Sequence, residues 1–498
     1  MNTYANRVTV FIRADGNAQI GYGHLMRAMA FATHATALTD VVLIIRNPDV
    51  YAFEACDKYS LKYIDVSDVA LENEADYIAE LIRSGSILFI DGYQFDENYL
   101  RNVSSKGAYL ICMDDHHDKF FPSGCVINIA ELEDPKNIKR SVGTKLVYGL
   151  NYALIRPEFE PLEIPRKSAA FICFGGGAET ESLIKKSVAA LINSGCVFET
   201  IKIVVNTQLK TDLGQWLHIH FPYQKMELFS QIGPEEMNHL MNTAQLGICS
   251  TSTVALECRT SGLPIIAGFY VENQKGFYRS LIKNEEITGA GDLHLISESE
   301  LSKLIQNLVV SENHAKKELG ILSPTKISYH YKRLLESCFT ELDFHLRKAN
   351  EMDMITYLNW ANDPDVRNSA INSNPILEEN HRPWFESRLR SETTHMFVGM
   401  WQSNEVGQIR FDLIEGCWEI SYSVVKIHQN KGFGELLIRK GMATLKELHP
   451  EPITITGVVK PDNISSLRVF RKLYFDEGST LVERNGIRLV FFSYRLGI

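Results

Sequence analysis

Two loops in this sequence carry residue types suited to anion chemistry. The first, Arg13-Ala14-Asp15-Gly16-Asn17-Ala18-Gln19-Ile20-Gly21-Tyr22-Gly23-His24, leaves a strand-like run and enters an Ala- and Met-rich helix. Glycines such as Gly21 and Gly23 let the backbone approach a ligand, and a helix start offers unpaired N–H groups and a positive dipole end. At that start the dipole disfavours an imidazolium, so His24 is expected neutral and able to take a proton from water. A glycine-rich turn capped by a histidine is the competing reading of these residues alone. The second loop, Gln429-Asn430-Lys431-Gly432-Phe433-Gly434, joins a strand-like run to a helix, and its successive amides form a nest for a pyrophosphate.

Two further places lie between a strand and a helix. Gly175-Gly176-Gly177 either admits a phosphate or merely turns the chain, and Ser250-Thr251-Ser252-Thr253 can cap the next helix while donating to phosphate oxygens. Glu257, on the helix predicted over 254–260, can accept two hydrogen bonds from ribose hydroxyls; a solvated helix acid is the plainer reading. The pairs Asp114-Asp115 and His116-His117 look metal-like, but neighbours on a strand point to opposite faces, so no metal site is expected.

These residues need elements to hold them. With 498 residues, about three folding units are expected. At 45% hydrophobic and 22% charged the chain has material for real cores, which excludes a disordered or disulfide-stapled protein. The nine cysteines are scattered, odd in number and never spaced C-x-x-C, which argues for reduced thiols and a cytosolic, cytoplasmic location. A net charge of -10 speaks against nucleic acid or anionic lipid as partners, and no apolar run is long enough for a membrane span. Nor does the start, which passes directly into Val8–Ile12, look like a signal peptide.

Short apolar runs predict strands at 8–13, 41–45, 86–90, 109–113 and 146–148, and again at 169–174, 201–205, 246–249 and 264–267. Their spacing leaves room for helices, so two doubly wound, mainly parallel α/β blocks are expected, with ligands at the strands' carboxyl ends. Beyond about 343 the pattern becomes α+β, with strands at 397–401, 406–413, 418–425 and 453–459 and helices at 432–448 and 464–473. The expected domains are 1–155, 156–342 and 343–498.

The first loop resembles the signature of the sugar-nucleotide hydrolase family of pseudaminic acid biosynthesis, in which Arg-x-Asp leads to Ile-Gly-x-Gly-His. Further matches follow in order: Ile90-Asp91-Gly92-Tyr93, Met113-Asp114-Asp115, the run from Tyr148 to Phe159 that contains Arg156, Phe174–Gly177, and 241–274 with Glu257, Asn273 and Gln274. The resemblance implies a two-lobed GT-B-like region holding UDP mainly on its second lobe. It assigns His24 as proton acceptor, with Asp15 orienting the imidazole or holding a sugar group. Arg13, Gly21, Gly23, Tyr93, Arg156, Gly176, Ser252, Thr253, Glu257, Asn273 and Gln274 are expected on the substrate. The sequence departs from the family at 250–253, where glycine is usual.

The second loop resembles the acetyl-CoA loop of the GNAT superfamily. Leu358–Arg367, His381-Arg382-Pro383-Trp384-Phe385 and Val459–Ser466 match further segments of GNAT enzymes that acetylate amines. The resemblance implies acetyl-CoA as co-substrate, held by Gln429, Asn430, Lys431, Gly432, Phe433, Gly434 and Asn463. It also implies a splayed strand whose end, Ser421 to Val424 and Val425, pairs with pantetheine. Phe470 stands where the family's proton-donating tyrosine is usual; Tyr474, one helical turn later, is the substitute donor, with packing as its other reading. Glu419 and Tyr422 are candidate bases.

Together the resemblances imply a bifunctional enzyme: the 4-amino group of a UDP-altrosamine derivative is acetylated, then the product loses UDP. The expected partners are the UDP-amino-sugar and, transiently, other enzymes of the pathway. The same chemistry on another diamino sugar nucleotide, or a silent nucleotide-sugar-binding module joined to an active acetyltransferase, are the alternatives.

Overall fold

The computed structural model describes residues 8–17, 19–82, 84–130, 132, 134–175, 180–311 and 322–497. The chain divides into two compact units. Phe120–Gly124, Pro135–Lys145 and Glu336–Ile498 form the second, and the remainder forms the first.

The first unit is built on two sheets. One has seven strands in the spatial order Lys62–Asp65, Val41–Ile45, Val10–Ala14, Ile87–Asp91, Tyr109–Met113, Cys125–Asn128 and Lys145–Tyr148. Pairings from the first of these to Cys125–Asn128 are parallel. The other has six parallel strands in the order Met226–Phe229, Thr200–Val204, Ala169–Cys173, Leu246–Ser250, Ile265–Phe269 and Thr288–Asp292. In each sheet the first strand in sequence lies inside, and the chain winds away to one side before returning to the other. The winding therefore reverses between Val10–Ala14 and Ile87–Asp91, and between Ala169–Cys173 and Leu246–Ser250. A crevice opens beyond the strand ends at such reversals.

The central strands are buried on both faces, which is why they read as continuous apolar runs. The predicted strands fall within a residue or two of the observed ones. The strands 62–65, 125–128, 226–229 and 288–292 were not predicted; three of them are sheet edges.

The second unit carries an eight-stranded sheet. Phe344–Lys348, Thr394–Trp401, Asn404–Ile414 and Cys417–Val424 form an antiparallel meander. Its hairpin Thr394–Ile414 turns at Gln402 and Ser403, with φ of 47° and 66°. Cys417–Val424 then pairs in parallel with Ile453–Val459, Ile487–Leu496 pairs beyond it, and Asp476–Glu477 forms the edge. The helices Phe433–Leu448 and Ile464–Lys472 cover one face through Leu437, Met442, Leu467 and Phe470. The helices Met354–Ala361 and Glu378–Arg390 cover part of the other through Tyr357 and Phe385 against Met396 and Val398.

Segment 135–145 is integral to this unit. Val142 packs on its core, and the buried Arg439 donates to Gly143 O and, from Nη1 and Nη2, to the two oxygens of Glu341 at 2.8 and 2.5 Å. Lys440 adds an ion pair to Glu341 at 2.8 Å. Burial would raise the Glu341 carboxyl, but Arg439 and Lys440 outweigh it and hold it down at about 2. Among the described residues no helix is long and apolar enough to cross a membrane.

Removing one partner of a buried ion pair strands the other charge. Glu341→Ala is therefore expected to destabilise the second unit by about 3 kcal/mol, read as a lower urea midpoint. Because the folded carboxyl lies below its ordinary range, its contribution is present above about pH 4.5 and fades as pH falls toward 2. Wild type and variant should converge there.

Candidate functional site

The first site lies where the winding of the seven-stranded sheet reverses. His24 sits in the first turn of the helix Gly23–Thr36, following a loop in which Gly21 adopts φ 84°. Its Nδ1 meets Asp91 Oδ1, at the end of the neighbouring strand, at 2.8 Å. A carboxylate acceptor there keeps the proton on Nδ1, leaving the Nε2 lone pair for a proton from water. Arg27, one turn along the helix, donates to both Asp91 oxygens at 2.6 Å and to Asp115 at 2.8 and 3.1 Å. Asp91 is buried, which would raise its carboxyl; Arg27 and His24 reverse this and hold it well below the carboxylate range. The Tyr93 ring stands edge-on to both His24 and His116 with centroids 4.5 Å away, and its hydroxyl points at Asp115 at 3.3 Å. His24 keeps 26% of its side chain exposed, enough to meet solvent.

Asp15 does not orient the imidazole. It accepts from Arg13, from Arg46 N at 2.7 Å and from Gln94 Nε2 at 2.9 Å. Arg13 is 1% exposed and also donates to Glu74 at 2.9 Å, so it braces the loop from within rather than facing a substrate. The orienting carboxylate is Asp91. Asp91, Arg27 and Asp115 are the site residues to which sequence reasoning gave no role, although Asp91 closes the strand before Tyr93.

At the reversal of the six-stranded sheet, Gly175 takes φ 89°, and Gly176 lies outside the described residues. Ser250 Oγ donates to Phe174 O at 3.3 Å and lies 3.1 Å from Ser252 Oγ. Ser252 holds the N-cap position of the helix Thr253–Thr260, but its side chain makes no capping bond. Thr251 is buried and bonded to Gly268 O. Glu257, expected on a ribose, is instead paired with Arg156, Nη2 to Oε1 at 2.7 Å, with 4% of its side chain exposed. Burial raises its carboxyl despite the arginine. Gln274 Oε1 accepts from Tyr270 N at 3.1 Å, and Asn273 acts on the Tyr93 hydroxyl, tending to lower its pKa against the rise from burial.

The site in the second unit follows from strand divergence. Cys417–Val424 pairs with Ile453–Val459 only at Trp418 with Ile455 and Glu419 with Thr456. From there on the strands part, so Ser421–Val424 keeps only its antiparallel partner. The Tyr422 side chain packs on the helix-covered face, its hydroxyl donating to Ser466 Oγ at 3.0 Å, and burial raises its pKa. Val425 N is committed to Val406 O at 2.9 Å, and Val424 O accepts from Gln429 Nε2 at 3.2 Å, so these two groups serve the loop's own shape.

Beyond them, Asn430 (φ 59°) and Gly432 (φ 89°) turn the chain into the helix Phe433–Leu448. Lys431 is exposed. Phe433 is 2% exposed and packed against Trp401, so its backbone alone is open to a ligand. A Cβ on Gly434 would lie 3.3 Å from the Tyr422 ring, a measure of how closely helix and strand approach. The Asn463 side chain caps the helix Ile464–Lys472 by accepting from Ser466 N at 3.1 Å. Tyr474, expected as proton donor, takes φ 62° and lies under the Arg140 guanidinium at 5.3 Å. Glu419 is held by Arg484 at 2.6 and 2.8 Å.

Residues 343–476 match the family model described as Acetyltransferase (GNAT) domain. Solved structures similar to this chain include a spermidine N-acetyltransferase from Vibrio cholerae in complex with CoA and spermine. It is 18% identical, with 31% of this chain and 95% of that one covered, at a TM-score of 0.28. An aminoglycoside acetyltransferase in complex with coenzyme A is 17% identical, with 30% and 94% covered, at 0.27. A domain from Methanocaldococcus jannaschii is 17% identical, with 31% and 98% covered, at 0.27. No curated protein matches the chain. Joined to a region of parallel sheets, residues 343–476 form an acetyltransferase domain of GNAT type.

Proposed function

We propose that the chain is a bifunctional enzyme of pseudaminic acid biosynthesis that acts twice on one sugar nucleotide. The GNAT domain acetylates the 4-amino group of UDP-4-amino-4,6-dideoxy-N-acetyl-β-L-altrosamine with acetyl-CoA. The N-terminal region, read as a GT-B-like hydrolase, splits the resulting UDP-2,4-diacetamido-2,4,6-trideoxy-β-L-altropyranose into UDP and free sugar. Linking the two raises the concentration of the intermediate at the second site.

The observation that carries the hydrolytic half is the His24–Asp91 contact at the strand-end reversal. A carboxylate held ionised behind Nδ1 makes Nε2 the base and stabilises the imidazolium once water has given up its proton. The loop amides and the helix start stabilise the negative charge that moves onto UDP. A module that only binds a nucleotide sugar has no use for such an imidazole.

For acetyl transfer, the amides of Gly432–Gly434 and the dipole of the following helix suit a pyrophosphate. The parted strand offers backbone to the pantetheine and thioester. The amine attacks the carbonyl, the C–N bond forms, the C–S bond breaks, and the amine's proton passes to water. Tyr422, kept protonated by burial, is the hydroxyl available to the leaving thiolate; Tyr474 is turned to Arg140.

His24→Ala should lower UDP release by a factor of roughly 10² to 10⁴ and leave CoA formation intact, read by product analysis with the acetylated sugar nucleotide. Asp91→Asn should lower kcat for the same step with little change in KM, because the ring loses the carboxylate that fixes its tautomer. No UDP release by the wild type from the acetylated sugar nucleotide would favour the silent-module reading, and release from the variants at wild-type rate would overturn His24 as the base.

Gly434→Glu places a carboxylate against the pyrophosphate and the Tyr422 ring. KM for acetyl-CoA should rise at least about tenfold, while UDP release from preacetylated substrate is retained. Unchanged acetyl-CoA affinity in a calorimeter would overturn the loop assignment.

A further inference from the structure

One face of the sheet in the second unit turns polar next to the parted strand. Gln408, Arg410 and Asp412 alternate along Asn404–Ile414, opposite Ser423, Ser421 and Glu419 respectively. Directly opposed residues share a face, so these six side chains form one ledge. The Arg410 guanidinium over the Trp384 ring, 5.0 Å away, identifies it as the face covered by the helix Glu378–Arg390. The opposite face, with Ile409, Phe411 and Ile420, packs into the core.

Gln408 is the unusual member. Its Nε2 lies 3.4 Å from Ser423 Oγ, while its Oε1 is buried with no hydrogen-bond partner. Buried amide oxygens are nearly always paired, and an orphan beside a candidate site is a place for a ligand donor. The charges on the ledge are already answered. Asp412 holds Arg410 at 2.7 Å and Arg388 at 3.4 Å, and Glu419 holds both terminal nitrogens of Arg484. The carboxylates of the ledge, Asp412 and Glu419, are thus already engaged by arginines.

We propose that Gln408, with Ser421 and Ser423, is the acceptor-recognition ledge of the acetyltransferase domain. It reads a neutral N–H or O–H on an amino sugar that carries an anionic group, and it disfavours polycationic amines. This rests on the reading of the domain as acetylating the amine of a nucleotide sugar, and it adds the residues that choose that substrate class.

The full chain is assayed by release of CoA thiol with the UDP-4-amino sugar, spermidine or an aminoglycoside as acceptor, and acetyl-CoA binding is measured separately by calorimetry. Gln408→Leu should raise the KM of the sugar nucleotide about tenfold with acetyl-CoA affinity unchanged. Gln408→Glu should shift the preference toward spermidine. Ser423→Ala provides a milder probe, with a smaller rise in the same KM, should the leucine variant fold poorly. A sugar-nucleotide KM within twofold of wild type in Gln408→Leu and Ser423→Ala would overturn the ledge, as would a wild type that prefers spermidine or the aminoglycoside. A wild type that binds acetyl-CoA but acetylates none of the three would overturn the substrate reading beneath it; failure to bind acetyl-CoA would overturn the acetyltransferase reading itself.

Discussion

The buried carboxylate of Asp91 is the interaction on which the first unit's loop cluster rests. A charge at 1% exposure persists only if it is paired and hydrogen-bonded. Here the pairing comes from Arg27 and the hydrogen bond from His24, three residues apart on one helical face. The helix must begin at Gly23 for both to reach the strand end, so the glycine loop, the helix start and the strand order are one constraint. Arg27 also spans to Asp115, two residues past the end of Tyr109–Met113, so the ends of three adjacent strands, Val10–Ala14, Ile87–Asp91 and Tyr109–Met113, fix one imidazole.

The second unit meets a different requirement, keeping two parallel strands apart without leaving a hole. Phe470 fills the space beneath them, stacked on Phe492 at 4.9 Å and edge-on to Phe475 at 4.9 Å. Gly457 makes room for it, since a Cβ there would come within 2.6 Å of the Phe470 ring. A phenylalanine at this position is therefore a core residue, and the nearby hydroxyl belongs to Tyr422, bonded to Ser466. The residue that looks like a lost proton donor in the sequence is doing packing work that a phenol would do less well, since its hydroxyl would need a partner inside an aromatic cluster.

What could be read from the sequence, and what could not, divides along physical lines. Central strands such as Val41–Ile45 and Tyr109–Met113 are apolar because both faces are covered. Lys62–Asp65 and Thr288–Asp292 are sheet edges with half-exposed or small residues, and they carry no such run. The loops at His24, Ser252 and Gly432 were legible because they sit where a strand gives way to a helix. Their partners were not. Asp91 meets His24 across 67 residues and Arg156 meets Glu257 across 101, and such pairs are set by strand order, which local pattern does not encode. Asp15, two residues from Arg13, looked available for the imidazole because its true partners, Arg46 and Gln94, come from elsewhere in the chain.

The same distance argument governs the edge of the acetyltransferase region. Tyr474 adopts a backbone conformation that favours glycine, yet its ring supports Arg140, whose own Nη1 is held by Pro135 O and Ile138 O. Lys136 pairs with Asp476 close by, and Gly143 O accepts a hydrogen bond from Arg439. A tyrosine that is strained for packing has a structural reason to be there, which removes the need for a catalytic one. Segment 135–145 thus forms part of the second unit although some 190 residues separate its end from Glu336. Closing so long a loop costs little more entropy than closing one half its length, about 0.6 kcal/mol per doubling. The Arg439 bond to Gly143 O and the Tyr474 ring against Arg140 hold the segment in place, so sequence position is a poor guide to where the acetyltransferase unit begins.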